Sequence, residues 1–429
     1  MHRDVTHLRN IGILASVDAG NVTWRKRIFE LIGGGGMTDD ESLDGPLLGR
    51  GVSPASSGTW TPRSGPFAEV PISFNIVACA PRVFDGTVVV LDGARGSAET
   101  AEAALRDMCA RRVPCIVFVD DVGGIDDLEA MVDALESDLG ITSVPVHLPW
   151  NDLQGAHVID VLEQRLVISP EGAGKRHLRP VPAEVEETVA RIRRRIVDIC
   201  AEVDDGIHGA SAAGLDVGAD ELARALRKAT LACEARVLVV TCGSLRARRG
   251  VGLLLDALST YLPSPAERPP VFGLDPRRSL TVARFAREGD ALSATVFATT
   301  ELPAVGKLTW IRVHSGRVDV SAKVTVLPRN ATARIERIFL PDVRGLLEVN
   351  TAGPGDVVCV TGADASAGDT ISCVRAPVVL DDSHAPRRAA PSPPTVDSVA
   401  PRRTRASWSV ARGVQSRPVA DSGLRRSRG

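Results

Sequence analysis

A chain of 429 residues with 44% hydrophobic and 24% charged residues has apolar material for two or three domains with real cores, and its net charge of −2 gives no global basic or acidic character. No stretch is long and apolar enough to span a bilayer, and residues 8–17 are too short and too interrupted by Arg9 and Asn10 to serve as a secretory signal. The eight cysteines are scattered with no CxxC pair and no Cys/His cluster, which argues against a disulfide framework or a zinc site and for a reducing cytosol.

Residues 1–31 read as strand, loop and helix. An apolar strand runs to a small-residue turn that starts at Ala15, Asp18, Ala19 and Gly20 follow, and an amphipathic run continues to Leu31. That is the layout of a phosphate-binding loop, but Asn21 and Val22 stand where such a loop wants Lys and then Ser or Thr, before Thr23. Residues 32–68 are rich in Gly, Ser, Pro and Thr and read as a long loop. Residues 72–77 and 87–91 are short buried strands, 99–111 a helix, 115–119 another buried strand, and 126–139 a helix. The alternation predicts a parallel sheet covered on both faces.

A long charged helix is expected over 181–203, then a Gly/Ala/Asp loop, a second helix over 220–229, a strand over 237–241, and a helix over 252–262 that ends at Pro263. After Pro269 and Pro270 the pattern changes. Residues 280–380 alternate apolar and polar, with turns at Ser315 and Gly316, at 353–356 and at Gly368 and Asp369, as in a small β-barrel or sandwich. From residue 381 the chain is Pro, Ser, Ala and Arg and is expected to be disordered. Its last 45 residues hold ten Arg against Asp397 and Asp421. The whole chain has only five Lys, which fits a GC-rich genome better than a nucleic-acid role for the body of the chain.

Several motifs in this order resemble the translational GTPases of the elongation factor G group, which includes the tetracycline-resistance ribosomal protection proteins. Arg9 to Gly20 resembles the family's RNIGIxAHxDAGKTT. Val90 to Gly96 and Arg112 to Val119 look like core strands of its G domain. Thr241, Cys242, Gly243 and Ser244, then Gly250, Leu254 to Ala257 and Tyr261 to Pro265, resemble the end of that domain. Gly306 to Gly316 resembles the start of the following barrel, and Gly355, Asp356 and Gly368 to Thr370 its later turns.

The resemblance implies a P-loop GTPase-like α/β domain over 1–265 with an inserted subdomain at about 151–235. A translation-factor β-barrel over 266–380 and the basic tail over 381–429 follow. Three further family domains would come after the barrel. The chain is expected to lack them, with Val378 to Leu380 resembling the entry to the third.

The resemblance also implies GTP or GDP with Mg²⁺ as cofactor and the ribosome as partner. Its nucleotide site carries over only in part. The missing Lys would reach the β- and γ-phosphates and the missing hydroxyl would ligate Mg²⁺. Asn21 is neutral and short, and Val22 has no oxygen. Arg50 to Ser53 resembles the first switch, with Ser53 offering a hydroxyl. In the second switch the family's Asp is Ala78, and its Gly is Pro81, which has no N–H to donate. About a helix's worth of chain is absent before Arg82, with the His that would position the attacking water, and His147, His157 and His314 read as structural or surface residues. Where the family's NKxD carries a base-specifying carboxylate, this chain reads Asp120, Asp121, Val122 and Gly123, with Asp126 three positions on.

Losing charge-assisted bonds worth about 1.5–3 kcal/mol each implies that Mg-GTP binding and hydrolysis are weak or lost. Other readings stay open: a weak GTPase, a non-enzymatic RNA- or ribosome-binding scaffold that uses the Arg-rich tail, and the product of a decaying gene. A cytoplasmic monomer without membrane contact is expected.

Overall fold

The computed structural model describes residues 3–15, 55–63, 65–77, 83–93, 99–152, 155–168, 176–232, 237–244, 247, 249–303, 305–342 and 345–380. The expectations for Asp18 to Thr23, Ser53, Ala78 to Pro81 and the tail lie outside them.

The chain opens on β1 (Leu8–Ala15). After β2 (Ala55–Trp60) come β3 (Ile72–Val77), β4 (Gly86–Asp92), α1 (Glu99–Ala110), β5 (Cys115–Asp120), α2 (Ile125–Leu139) and β6 (Thr142–Pro145). Val88 to Leu91 and Ile116 to Val119 are buried without alternation, as strands covered on both faces must be. In α2, Leu128, Met131, Val132 and Leu135 recur at helical spacing and are its buried stripe. Apart from β2 and β6, these elements match the expected ones to within a residue or two.

The chain then leaves the sheet. β7 (His147–Asp152), β8 (Gly155–Asp160), β9 (Arg165–Ile168) and β10 (His177–Pro180) form a separate antiparallel sheet in the order β10-β9-β8-β7. Three helices follow: α3 (Glu186–Ala201), α4 (Asp205–Ala212) and α5 (Ala219–Leu231). Here the structure corrects the sequence reading. The residue pattern predicts none of β6 to β10, the long helix is confined to 186–201, and the expected loop contains α4. The Asp204 carboxylate caps α4 by accepting from the Gly206 and Ile207 amides at 3.1 and 3.4 Å. Three arginines of α3 are engaged internally: Arg191 pairs with Glu129 at 2.6 Å and Arg195 with Glu136, both on α2, and Arg193 pairs with Asp216 at 2.9 Å.

β11 (Val237–Gly243) returns the chain to the main sheet, and α6 (Val251–Tyr261) closes this region. The sheet order is β2-β3-β1-β4-β5-β11-β6. All neighbours are parallel except β2, which runs antiparallel to β3. It is therefore a parallel sheet with one antiparallel edge.

The remaining strands are antiparallel: β12 (Val271–Asp275), β13 (Leu280–Arg284), β14 (Ser293–Leu302), β15 (Gly306–Ser315), β16 (Val318–Asp319), β17 (Lys323–Leu327), β18 (Ala331–Arg334), β19 (Ile338–Asp342), β20 (Gly345–Val349), β21 (Thr351–Ala352), β22 (Val357–Val360), β23 (Thr370–Cys373) and β24 (Val379–Leu380). Eight of them form one sheet in the order β18-β17-β23-β14-β15-β22-β19-β20. Alternate residues of these strands, among them Ala294, Val296, Ile311, Val313, Val324 and Val326, build a core of their own.

A third apolar cluster joins the two regions. Val77 and Val83, from either side of residues 78–82, are buried against Leu308, Trp310, Phe339, Val357 and Cys359. Beside it Arg312 of β15, 3% exposed, donates to both carboxylate oxygens of Asp85 at 3.2 and 2.9 Å and to the Val83 carbonyl at 3.1 Å. Asn10 of β1 donates to the same carboxylate at 2.7 Å and to the Gly355 carbonyl at 3.1 Å, and it accepts from Asn75 at 2.7 Å. Among the described residues no helix is long and apolar enough to cross a membrane.

Candidate functional site

In open α/β sheets ligands bind in the crevice outside the carboxyl ends of the strands. Three such ends lie side by side here, with Asp92 of β4, Asp120 of β5 and Gly243 of β11 in register. Backbone bonds stitch them together. The Gly93 amide donates to the Asp120 carbonyl at 2.7 Å, and the Asp121 amide donates to the Gly243 carbonyl at 2.9 Å. Asp121 turns the chain away from β5 in the left-handed region, at φ 54°. The structure thus brings together six of the candidate residues: Asp120, Asp121, Gly123, Cys242, Gly243 and Ser244. Asp18 to Thr23 and Ser53 lie outside the described residues, so their placement relative to this edge stays an expectation.

Gly123 is exposed at the start of the turn into α2. A Cβ built there would sit 2.6 Å from Oδ2 of Asp127, one helical turn on. That oxygen is the end of an exposed, flexible side chain, so it places an acidic group beside Gly123 without filling the position. The Gly123 carbonyl accepts from the Asn151 side chain on β7 at 3.0 Å.

The loop after β11 is held just as locally. Ser244 and Arg249 exchange backbone bonds at 2.9 and 2.7 Å, and the Ser244 hydroxyl accepts from the Ala247 amide at 3.0 Å. Gly243 permits this close approach, since a Cβ there would lie 2.5 Å from the Arg249 carbonyl. Cys242 is fully buried, and burial pushes its thiol well above the ordinary range, so it serves as core.

Arg249 reaches back to the inserted sheet, donating to the Ala156 carbonyl at 2.7 Å with His157 Nδ1 at 3.2 Å. A guanidinium has no acceptor, so Nδ1 is the bare nitrogen and Nε2 carries the proton toward Asp152 Oδ1, 3.2 Å away. Sequence reasoning missed Asp127, Asn151, Asp152 and Arg249. Only Asp127 left a signal, its i+4 spacing from Gly123 at a helix start.

A second polar site lies under the inserted sheet. His147 and Asp160 line a cavity of about 40 Å³ together with Thr260 and Tyr261. His147 Nε2 and Asp160 Oδ2 are 3.9 Å apart. Burial, helped by nearby Arg176, pushes the imidazole down to about 3, and burial raises the carboxyl to about 6. Among the described residues no group of three or more His, Cys, Asp or Glu could hold a metal ion.

No protein-family model matches the chain. It is 32% identical over 400 residues to elongation factor G of Thermotoga petrophila, covering 88% of this chain and 56% of the relative. Against elongation factor G of Thermotoga maritima it is 31% identical over 400 residues, covering 88% and 57%. The chain therefore spans a little over half the length of these curated relatives. Among solved structures, the crystal structure of ttk003000868 from Thermus thermophilus superposes with a TM-score of 0.67 at 20% identity, over 90% of this chain and 56% of that one. At that identity the likeness is one of fold.

Proposed function

Since this chain belongs to the elongation factor G family of translational GTPases, we propose that it is a member that docks on the ribosome in the cytosol, as a monomer, without binding or hydrolysing GTP. One observation carries this reading: Asn21 and Val22 stand where the family's phosphate loop has Lys and a hydroxyl residue, so the phosphate charge partner and the metal ligand are missing together.

The residues present do not fit Mg-GTP. Asn21 supplies no charge for the phosphates, Val22 supplies no metal ligand, and Pro81 supplies no amide. The loss falls on separate motifs of the family's nucleotide site. Calorimetry with GTP, GDP and ATP in Mg²⁺ buffer is the test. No heat of binding is expected up to millimolar nucleotide, and micromolar GDP affinity would end the proposal. Co-sedimentation with ribosomes, equal with and without a GTP analogue, is expected alongside.

The ten arginines near the carboxyl terminus support a second reading, in which the tail binds RNA. Such binding falls steeply with salt. It should vanish on deleting residues 384–429 while ribosome docking through the folded part persists.

A further inference from the structure

A single hairpin of the inserted sheet touches both loops at the carboxyl edge. From β7, Asn151 donates to the Gly123 carbonyl in the loop after β5 at 3.0 Å. From β8, the Ala156 carbonyl and His157 Nδ1 receive Arg249, in the loop after β11. Arg249 is itself paired through its backbone with Ser244, and Asp121 is tied to Gly243, so the two contacts meet at the end of β11. His157 is buried, 4% exposed, and its orientation is fixed from both sides by Arg249 and Asp152.

We infer that the β7–β8 hairpin is a clamp: Asn151 and His157 act as positioning residues that hold residues 121–124 and the Ser244–Arg249 bridge in one arrangement without any ligand. In a ligand-organised site, loops at a sheet's carboxyl edge gain their order from the bound molecule and loosen when it leaves. Here protein groups supply the order. The inference rests on the nucleotide-free reading above for its meaning and on these contacts for its existence.

Hydrogen exchange on the full chain tests it. In the protein without nucleotide the amides of Asp121, Ser244 and Arg249 should be protected, since each donates to a named carbonyl. Asn151→Ala should speed exchange at Asp121, and His157→Ala at Ser244 and Arg249. Each should act by roughly tenfold, the factor that corresponds to about 1.4 kcal/mol and is expected for one lost hydrogen bond. Val119 and Val240 in the strands should be unchanged. His157→Gln, whose amide can still accept from Arg249, should restore protection and guards against a variant that fails to fold. Unchanged exchange in both alanine variants would overturn the clamp. Slower exchange in the parent protein on adding millimolar GDP would instead overturn the nucleotide-free reading, with the clamp still decided by the variants.

Discussion

Replacing Asp85 by Ala should be among the most damaging single changes in this protein. Arg312 is 3% exposed, and its guanidinium donates twice to that carboxylate and once to the Val83 carbonyl. Removing one partner of a buried ion pair leaves the other charge without compensation, at a cost of about 3–5 kcal/mol. Asn10 keeps its bond to the Gly355 carbonyl, so it adds little. Asp85→Asn keeps the shape and an acceptor, loses the charge, and should cost about 1.5–3 kcal/mol, the worth of a charge-assisted bond. In Asp85→Ala/Arg312→Met the stranded cation is gone, so the double variant should be more stable than Asp85→Ala alone. Urea titration read by tryptophan fluorescence, to which Trp310 in the adjoining cluster contributes, measures all three. A loss below about 1 kcal/mol for Asp85→Ala would mean that the pair behaves as an exposed one and would refute the reasoning.

Two further outcomes are expected. Gly243→Ala should destabilise by roughly 1–3 kcal/mol, because its Cβ would meet the Arg249 carbonyl at 2.5 Å and the Phe118 ring at 3.0 Å; a neutral urea midpoint would contradict this. The His147–Asp160 pair should add little net pH dependence of its own, leaving an acid loss to His314, which burial and Arg312 also hold down to about 3. His147, held down to about 3, leaves extra proton binding to the unfolded chain and loses stability as pH falls below 6.5, whereas Asp160, raised to about 6, binds its proton in the folded state first and gains stability over the same range. Each effect is on the order of 3 kcal/mol by about pH 4 and they oppose each other, so Asp160→Asn should steepen the acid loss. Parallel stability curves for the two proteins would refute it.

What could be read from the residues follows from how local the cause was. The unbroken apolar runs at 88–91 and 116–119 announce strands buried on both faces, and the spacing of Leu128 to Leu135 announces α2. The inserted strands left no such mark. β10 is exposed at all four residues and β9 is four residues long, so their pairing depends on neighbours rather than on pattern. Arg9 and Asn10 belong to a motif read for nucleotide chemistry, yet their roles here are structural. Arg9 donates to the Ser259 carbonyl at 3.0 Å and lies over the Phe67 ring, and Asn10 joins the Asp85 network. The half of the motif that packs has kept its identity, and the half that would touch phosphate has not. Asp127 illustrates the limit: its i+4 spacing from Gly123 is there to read, but the residue order draws attention to Asp126, and the geometry of the turn is what distinguishes the two carboxylates.

The cluster of Val77 and Val83 with Leu308, Trp310, Phe339, Val357 and Cys359 also bears on how the chain can be taken apart. A composition change near Pro269 invites a cut there, as though each piece could be produced separately. The downstream piece would then present to water a contiguous apolar face of the kind that drives association, and the upstream piece would uncover Val77 and Val83. The downstream fragment would carry Trp310 and Phe339 on that face, and the upstream one would carry Asp85 without its cation. For expression and purification the smallest sensible unit is therefore both regions together, and solubility of the isolated pieces is a poor guide to the stability of the whole.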